Sequence, residues 1–160
     1  MRIQLKPILP KRKILDVIAV ERGIEDALND AAAFAQELYE KTTATWETDV
    51  TFTIRKTKYG RSIGTRSTIY TYVDRGTKPH DIRPKRADAL AFQYGEARRA
   101  KTKPRVISSY KGSPGDQWAR KQVVHHPGTE ARGFTVEISE RANQRLRGNL
   151  RRNLSRSRIG

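Results

Sequence analysis

The stretch that decides the fold is residues 24–38, which read IEDALNDAAAFAQEL. Its apolar residues recur every three or four positions and therefore share one face of an α-helix. They are Ile24, Leu28, Ala31, Ala35 and Leu38. Acidic residues populate the remaining faces. The pattern predicts a long amphipathic helix in the N-terminal part of the chain.

Two features precede this helix. Gly23 interrupts the connection to the apolar run at residues 14–20, and a glycine inside a helix costs about 1 kcal/mol relative to alanine. The run is therefore compatible with either helix or strand. Residues 1–13 hold five basic residues together with Pro7 and Pro10, which predicts an extended basic arm.

After Trp46 the apolar period changes from helical spacing to two. Val50, Phe52 and Ile54 alternate with polar residues, as in a half-buried strand. A second strand is predicted at residues 68–74, with residues 58–66 as a long hairpin loop between them. Further short strands are predicted at residues 89–94, 105–110 and 122–125, and residues 101–118 are an inserted loop or hairpin.

The C-terminal segment is again helical in pattern. Projection at 100° per residue places its apolar residues on one arc and leaves six of its seven arginines outside that arc. The apolar residues are Ile138, Ala142, Leu146, Leu150 and Leu154. We therefore expect an α+β domain over residues 14–154, with a small, mostly antiparallel sheet on which the long N-terminal helix and the C-terminal helix pack. Residues 155–160 are expected to fray.

The charge of the chain is large and segregated. It carries 33 Lys and Arg against 17 Asp and Glu, a formal net charge of +16. Residues 14–50 are acidic, with nine carboxylates against two cations, whereas residues 141–160 hold seven arginines and no acid. Such segregation is typical of nucleic-acid binding or of contacts between oppositely charged subunits. The absence of cysteine excludes disulfides and thiolate metal sites.

Catalytic and membrane patterns are missing from the sequence. It contains no Gly-rich phosphate loop, no HExxH, no GxSxG and no window approaching the ~20 apolar residues of a membrane helix. The candidates for a metal or nuclease site are His80, His125 and His126. Adjacent histidines on a strand point to opposite faces, which argues against chelation of one ion. We expect no enzyme activity, no metal and no cofactor.

Two stiff segments stand out instead. Residues 72–85 read YVDRGTKPHDIRPK, and residues 125–134 read HHPGTEARGF. Pro127 and Gly128 match the central positions of a type II turn, and Gly76 permits a turn after the preceding strand. The motif positions are Gly76, Thr77, Pro79, His80, Ile82, Pro84, His126, Pro127, Gly128, Thr129 and Phe134. Considered alone, both segments are also compatible with ordinary connections between strands.

Their order and spacing resemble the minor tail component family of tailed bacteriophages, neck proteins that join head to tail. The resemblance spans residues 68–140 and includes the Ala89-Leu90-Ala91-Phe92 segment between the two motifs. It implies a non-enzymatic virion protein of the tail-completion type, assembled in the bacterial host cytoplasm as a homo-oligomeric ring of six subunits, with twelve possible. Its implied partners are head-closure (stopper) and tail-terminator proteins and the genomic DNA that passes through the channel, with no membrane.

Five arginines of the last helix are the candidate contacts to a neighbouring subunit or to DNA: Arg141, Arg145, Arg147, Arg151 and Arg152. The alternative is a sequence-indifferent nucleic-acid-binding protein that uses the same arginines and the basic run at residues 98–105. That run has no interleaved aromatic residues on which bases could stack. A nuclease that uses the three histidines is the third hypothesis.

Overall fold

A computed structural model describes residues 16–96, 98–107 and 112–156 of the chain. The predicted basic arm over residues 1–13 lies outside these ranges. Within them the elements are, in chain order, α1 (Val17–Thr43), β1 (Thr53–Thr57), β2 (Gly60–Gly64), α2 (Thr68–Arg75), β3 (His80–Ile82), β4 (Leu90–Tyr94), β5 (Gln117–Lys121), β6 (Val124–His126) and α3 (Phe134–Arg156).

Helix α1 begins where Asp16 accepts hydrogen bonds from the backbone N–H groups of Ile18 and Ala19, at 3.0 and 3.1 Å. The run at residues 14–20 is therefore helical from Val17 onward, and the helix continues through Gly23 without a break. Gly23 is buried because α3 crosses it closely: a Cβ at this position would stand 3.0 Å from the Cβ of Asn153.

The buried face of α1 differs in part from the predicted one. In its first half Gly23, Ala27 and Ala31 are buried, whereas Ile24, predicted to face the core, is 39% exposed. Small residues every four positions allow α3 to approach α1 closely. At this distance the side-chain amide of Asn153 on α3 donates a hydrogen bond to the Gly23 carbonyl of α1 at 2.8 Å. Periodicity identified the helix but not the partner that selects its buried face.

Helix α3 packs along α1 and buries Phe134, Ile138 and Asn149. The predicted apolar arc is correct at Ile138, which is buried. Leu154, also on that arc, is 38% exposed, whereas Asn149 is buried although the arc did not include it. Ser155 and Arg156 belong to the helix, so the frayed tail predicted from residue 155 is wrong for these two residues. Residues 157–160 lie outside the described ranges.

The core is an aromatic cluster between the second half of α1, α2 and the start of α3. The rings of Tyr39 and Phe52 stack with centroids 4.7 Å apart, and Tyr70 meets Phe52 edge to face at 5.2 Å. Phe134 and Ile138 close the cluster, each 1% exposed. Burial raises the pKa of the phenols of Tyr39 and Tyr70. The cluster holds α2 and both long helices together.

The first two strands form a tight hairpin. β1 and β2 pair antiparallel from Thr53 opposite Gly64 to Thr57 opposite Gly60, so that Lys58 and Tyr59 alone connect them. The long loop predicted for residues 58–66 is therefore wrong, because most of it is β2. Phe52 is buried and Ile63 is half-buried against the core, which fixes one face of the hairpin toward α1.

The predicted strand at residues 68–74 is wrong, because this segment is helix α2. Its threonines and tyrosines favour strand in general, but Ser67 caps a helix by accepting from the N–H of Tyr70 at 3.2 Å. Tyr70 and Val73, three residues apart, then face the same aromatic core. Local propensity is overridden here by packing and by the caps.

The remaining strands form two further antiparallel pairs, β3 with β6 and β4 with β5. The strands predicted at residues 89–94 and 122–125 agree with β4 and β6 to within one or two residues at each end. The strand predicted at residues 105–110 is wrong in its described part, since Arg105 has φ of 55° and no strand follows before residue 108. Backbone bonds between Arg99 and Ser113 bring together the base of the insertion at residues 101–118. The α+β class is confirmed, with the strands arranged as three separate pairs.

Candidate functional site

The two motif segments, more than forty residues apart in sequence, pair with each other. His80 lies opposite His126 and Ile82 opposite Val124 in the β3–β6 ladder, and a separate bridge joins Thr77 to Thr129. All these pairs share one register, so the segments form a single antiparallel ribbon on both sides of the prolines. Proline has no N–H, which explains the gap in the ladder at Pro79 and Pro127. We call residues 76–82 and 124–129 the motif ribbon.

Both motif glycines lie where the backbone of the opposite segment comes close. Gly76 ends α2 with φ of 76°, and a Cβ there would stand 2.5 Å from the Thr129 carbonyl oxygen. Gly128 has φ of 93°, and a Cβ there would overlap the carbonyl oxygen of Thr77. Each position excludes a side chain for two reasons, a left-handed backbone and a facing strand.

The type II turn predicted at Pro127 and Gly128 is wrong. The positive φ is present, but the chain remains paired with residues 77–82 before and after these two residues and does not reverse there. The predicted turn after a strand at Gly76 is likewise replaced by the end of helix α2. Ile82 and Pro84 follow at the end of the ribbon, and both are half-buried.

The histidines lie on this ribbon with separate partners. The rings of His80 and His126 stack at 5.1 Å, while Nδ1 of His125 contacts the Asp81 carboxylate at 2.5 Å on the opposite face. Nδ1 of His80 donates to the Lys78 carbonyl, and Nδ1 of His126 accepts from the Gly128 N–H. Among the described residues no group of three or more His, Asp or Glu could hold a metal ion.

Asp74 connects the end of α2 to the start of α3, a role that the sequence analysis did not identify. Its carboxylate accepts from the N–H of Thr135 at 2.9 Å and so caps α3, while its backbone carbonyl accepts from Gly133 at 3.0 Å. Phe134, the last motif residue, is thereby placed in the core at 1% exposure. The motif ribbon, the end of α2 and the start of α3 therefore form one connected unit.

Three of the five candidate arginines on α3 are engaged within the chain. Arg141 pairs with Glu137 on the same helix at 2.8 Å, and Arg152 donates to the side chain of Asn149. Arg145 reaches α1, where its Nε and Nη2 donate to the two carboxylate oxygens of Asp30 at 2.6 and 2.9 Å. Arg145 was predicted to contact a neighbouring subunit or DNA, but its guanidinium is engaged by Asp30 within the chain.

The Asp30 contact is the main electrostatic link between the long helices. Arg145 donates both bonds of a bidentate pair, and Asn149 donates to the same carboxylate. These donors, Arg145 first, lower the pKa of Asp30 to about 2. A second acid of α1, Glu25, has its pKa lowered by Lys56 and Arg61 of the hairpin. The sequence offered no signal for either pairing, because both join distant segments.

Arg147 and Arg151 remain exposed, one helical turn apart on α3, and neither forms an ion pair with a carboxylate in the described ranges. The basic run at residues 98–105 is less free than predicted. Lys101 pairs with Glu47 at 3.0 Å, and Arg105 lies 3.9 Å from Glu140. The structure thus narrows the candidate cations of α3 to Arg147 and Arg151.

Comparison with known proteins returns no match: no protein-family model, curated protein or solved structure matches this chain. Within the part of the chain that the structure describes, none of the helices combines the length and the apolar character needed to cross a membrane.

Proposed function

We propose that this protein is a structural virion component of a tailed bacteriophage, a ring-forming neck protein of the tail-completion type. It carries out no reaction. It joins neighbouring neck proteins, head-closure on one side and tail-terminator on the other, around the channel through which the genome passes. The proposal places it in the virion after assembly in the host cytoplasm.

The observation that carries this proposal is the pairing of the two motif segments. Gly76 and Gly128 have no side chain and so allow the two backbones to approach closely. Thr77 and Thr129 exchange backbone hydrogen bonds at 3.0 and 3.1 Å. These motif residues serve backbone geometry, and none presents a reactive group in a cleft. Residues that fix backbone geometry and present no reactive group support a structural role better than a catalytic one.

The distribution of charge supports the same proposal. After the internal pairs are accounted for, α1 still exposes Glu21 and Asp26, and α3 still exposes Arg147 and Arg151. A ring needs two different, complementary surfaces on each subunit, and opposite charge makes them complementary while it penalises contacts between like surfaces. Surface ion pairs contribute about 0–1 kcal/mol each, so they would set the register and salt sensitivity of the ring.

The test is the oligomeric state of the purified full chain. We expect light scattering to give six, or alternatively twelve, times the 18.3 kDa subunit mass, and negative-stain images to show rings without added DNA. The double variant Arg147→Glu/Arg151→Glu should require a different salt concentration to assemble. Arg83→Glu/Arg86→Glu is the matched control, because it makes the same charge change at exposed positions away from α3.

The outcomes separate the hypotheses. A chain that stays monomeric at every concentration contradicts the neck proposal. A monomer that binds DNA favours the nucleic-acid-binding alternative, and loss of DNA that depends on a divalent cation favours a nuclease. Equal salt dependence of the two double variants would show that Arg147 and Arg151 are not subunit contacts.

A further inference from the structure

The solvent face of the β1–β2 hairpin forms a polar recess that the motifs do not involve. It has a volume of about 550 Å³. Hydroxyl and guanidinium side chains line it: Thr51, Thr53, Arg55, Ser62, Thr65 and Arg66. The remaining lining residue is Gly64, and a Cβ there would meet nothing within 4 Å. We call this surface the outer face of the hairpin.

The cationic side chains on the two sides of the hairpin differ in their partners. On the α1 side, Lys56 and Arg61 both contact the Glu25 carboxylate, and Arg61 also donates to the side chain of Asn29 at 2.9 Å. On the outer face, Arg55 and Arg66 are exposed, and neither forms an ion pair with a carboxylate in the described part of the chain. The acidic helix therefore neutralises one side of the hairpin and leaves the other side positive.

The side chains that line the recess indicate which class of ligand it would bind. Guanidinium and hydroxyl groups are the side chains that most often contact the phosphates of nucleic acids, and they do so without reading sequence. Protein–protein interfaces usually have apolar or aromatic anchors at their centre, and no such side chain lines this recess. An anionic, hydrogen-bond-accepting and sequence-uniform ligand fits these groups best.

The tip of the hairpin extends the same surface. Tyr59 is 88% exposed, and the Lys58 ammonium stands 5.3 Å from the centroid of its ring. The exposed Lys58 ammonium at the end of the hairpin is a further cation that can contact a phosphate. The tip and the recess are then parts of one extended cationic edge.

We propose that the outer face of the hairpin binds the phosphodiester backbone of duplex DNA, independently of sequence, through Arg55, Arg66 and the hydroxyls between them. The inference deepens the proposed neck function and rests on it for the source of the DNA, because it names the surface that faces the genome. It also assigns the DNA contact to the hairpin and not to the arginines of α3.

The test compares two variants at one open position. Gly64→Asp places a carboxylate in the recess, and Gly64→Asn places an uncharged side chain of nearly the same shape there. Binding to a 30-base-pair duplex is measured by fluorescence anisotropy over a series of salt concentrations. We expect Gly64→Asp to weaken binding at least tenfold at low salt and Gly64→Asn to change it less than threefold, since phosphate contacts dominate such affinities.

A charge-removal pair completes the test. Arg55→Gln/Arg66→Gln should make the negative slope of log K against log salt shallower by about 2 for each subunit that contacts the duplex, because each lost phosphate contact removes about 0.9. Arg83→Gln/Arg86→Gln, which removes the same charge from exposed positions outside the hairpin and α3, should keep the parental slope. Oligomer mass is measured for every variant, so a failure of ring formation is distinguished from a failure of DNA binding.

Three results would overturn the inference. The first is a parent chain that shows no DNA binding at low salt. In the second, Arg55→Gln/Arg66→Gln keeps the parental slope and affinity. In the third, the hairpin variants lose oligomer mass while DNA binding is unchanged, which would make the outer face a contact for an acidic protein surface.

Discussion

The close approach at Gly128 can be measured by a series of three Gly→Ala variants. Gly128 combines φ of 93° with the carbonyl of Thr77 directly in the path of a Cβ. Gly133 has φ of 63° and open space around its Cβ position, and Gly64 has open space and no positive φ. The series therefore separates the backbone penalty from the steric one.

The expected magnitudes follow from these geometries. An alanine held in the left-handed region costs about 1–2 kcal/mol, which is the whole effect at Gly133. At Gly128 the facing backbone that carries the Thr77 carbonyl must also move, which weakens the two backbone hydrogen bonds that Thr77 and Thr129 exchange, worth about 1 kcal/mol each. We expect a loss of about 3–4 kcal/mol for Gly128→Ala and a change within about 0.5 kcal/mol for Gly64→Ala.

The assay is urea unfolding followed by circular dichroism at one fixed protein concentration, since assembly would make stability depend on concentration. Thermal melting at the same protein concentration is a second readout: for a chain of this size 1 kcal/mol shifts the melting temperature by about 3 °C, so Gly128→Ala should melt about 10 °C below the parent. Equal losses for Gly128→Ala and Gly133→Ala would refute the argument, because the facing strand would then contribute nothing.

Three further predictions concern the long helices. Asp74→Ala should lose about 1 kcal/mol of unfolding free energy and Asp74→Asn much less, because asparagine also caps helices; equal losses would show that capping of α3 is not the cause. The pKa of Asp30 lies at about 2, below its ordinary 3.8, so its contribution is complete above about pH 5 and is lost as the pH falls toward 2. The stability gap between the parent and Asp30→Asn should narrow over that range, and a gap independent of pH would contradict the contact with Arg145. Gly148→Ala, in open space on α3, should stabilise the chain by about 1 kcal/mol, whereas Gly23→Val should destabilise it by forcing the helices apart; thermal melting of both variants checks the contrast.

The sequence identified the long helices because each carries a repeating apolar face over many turns. It did not identify α2, where eight residues rich in threonine and tyrosine resemble a strand. Ser67 at one end and Gly76 at the other are cap signals, and Tyr70 with Val73 has helical spacing. These signals were present but weaker than the local propensity, and the aromatic core decides between them.

The candidate site was predicted in its residues but not in its arrangement. Both motif segments were recognised as stiff, and Gly128 as a position of positive φ. Their pairing into one ribbon could not be read from either segment, because antiparallel register depends on a contact more than forty residues away. The cap that Asp74 provides to α3 is hidden for the same reason.

By itself the sequence determined the α+β class, the two long helices, the segregated charge and the two segments on which the proposed function rests. These are properties of composition and of short-range periodicity, which a chain carries before it folds. Only the tertiary structure decided which face of each helix is buried, which arginines remain free and which side of the β1–β2 hairpin stays positive. Those outcomes depend on which distant carboxylate, ring or backbone carbonyl comes within about 3 Å of a group, and no local pattern records that distance.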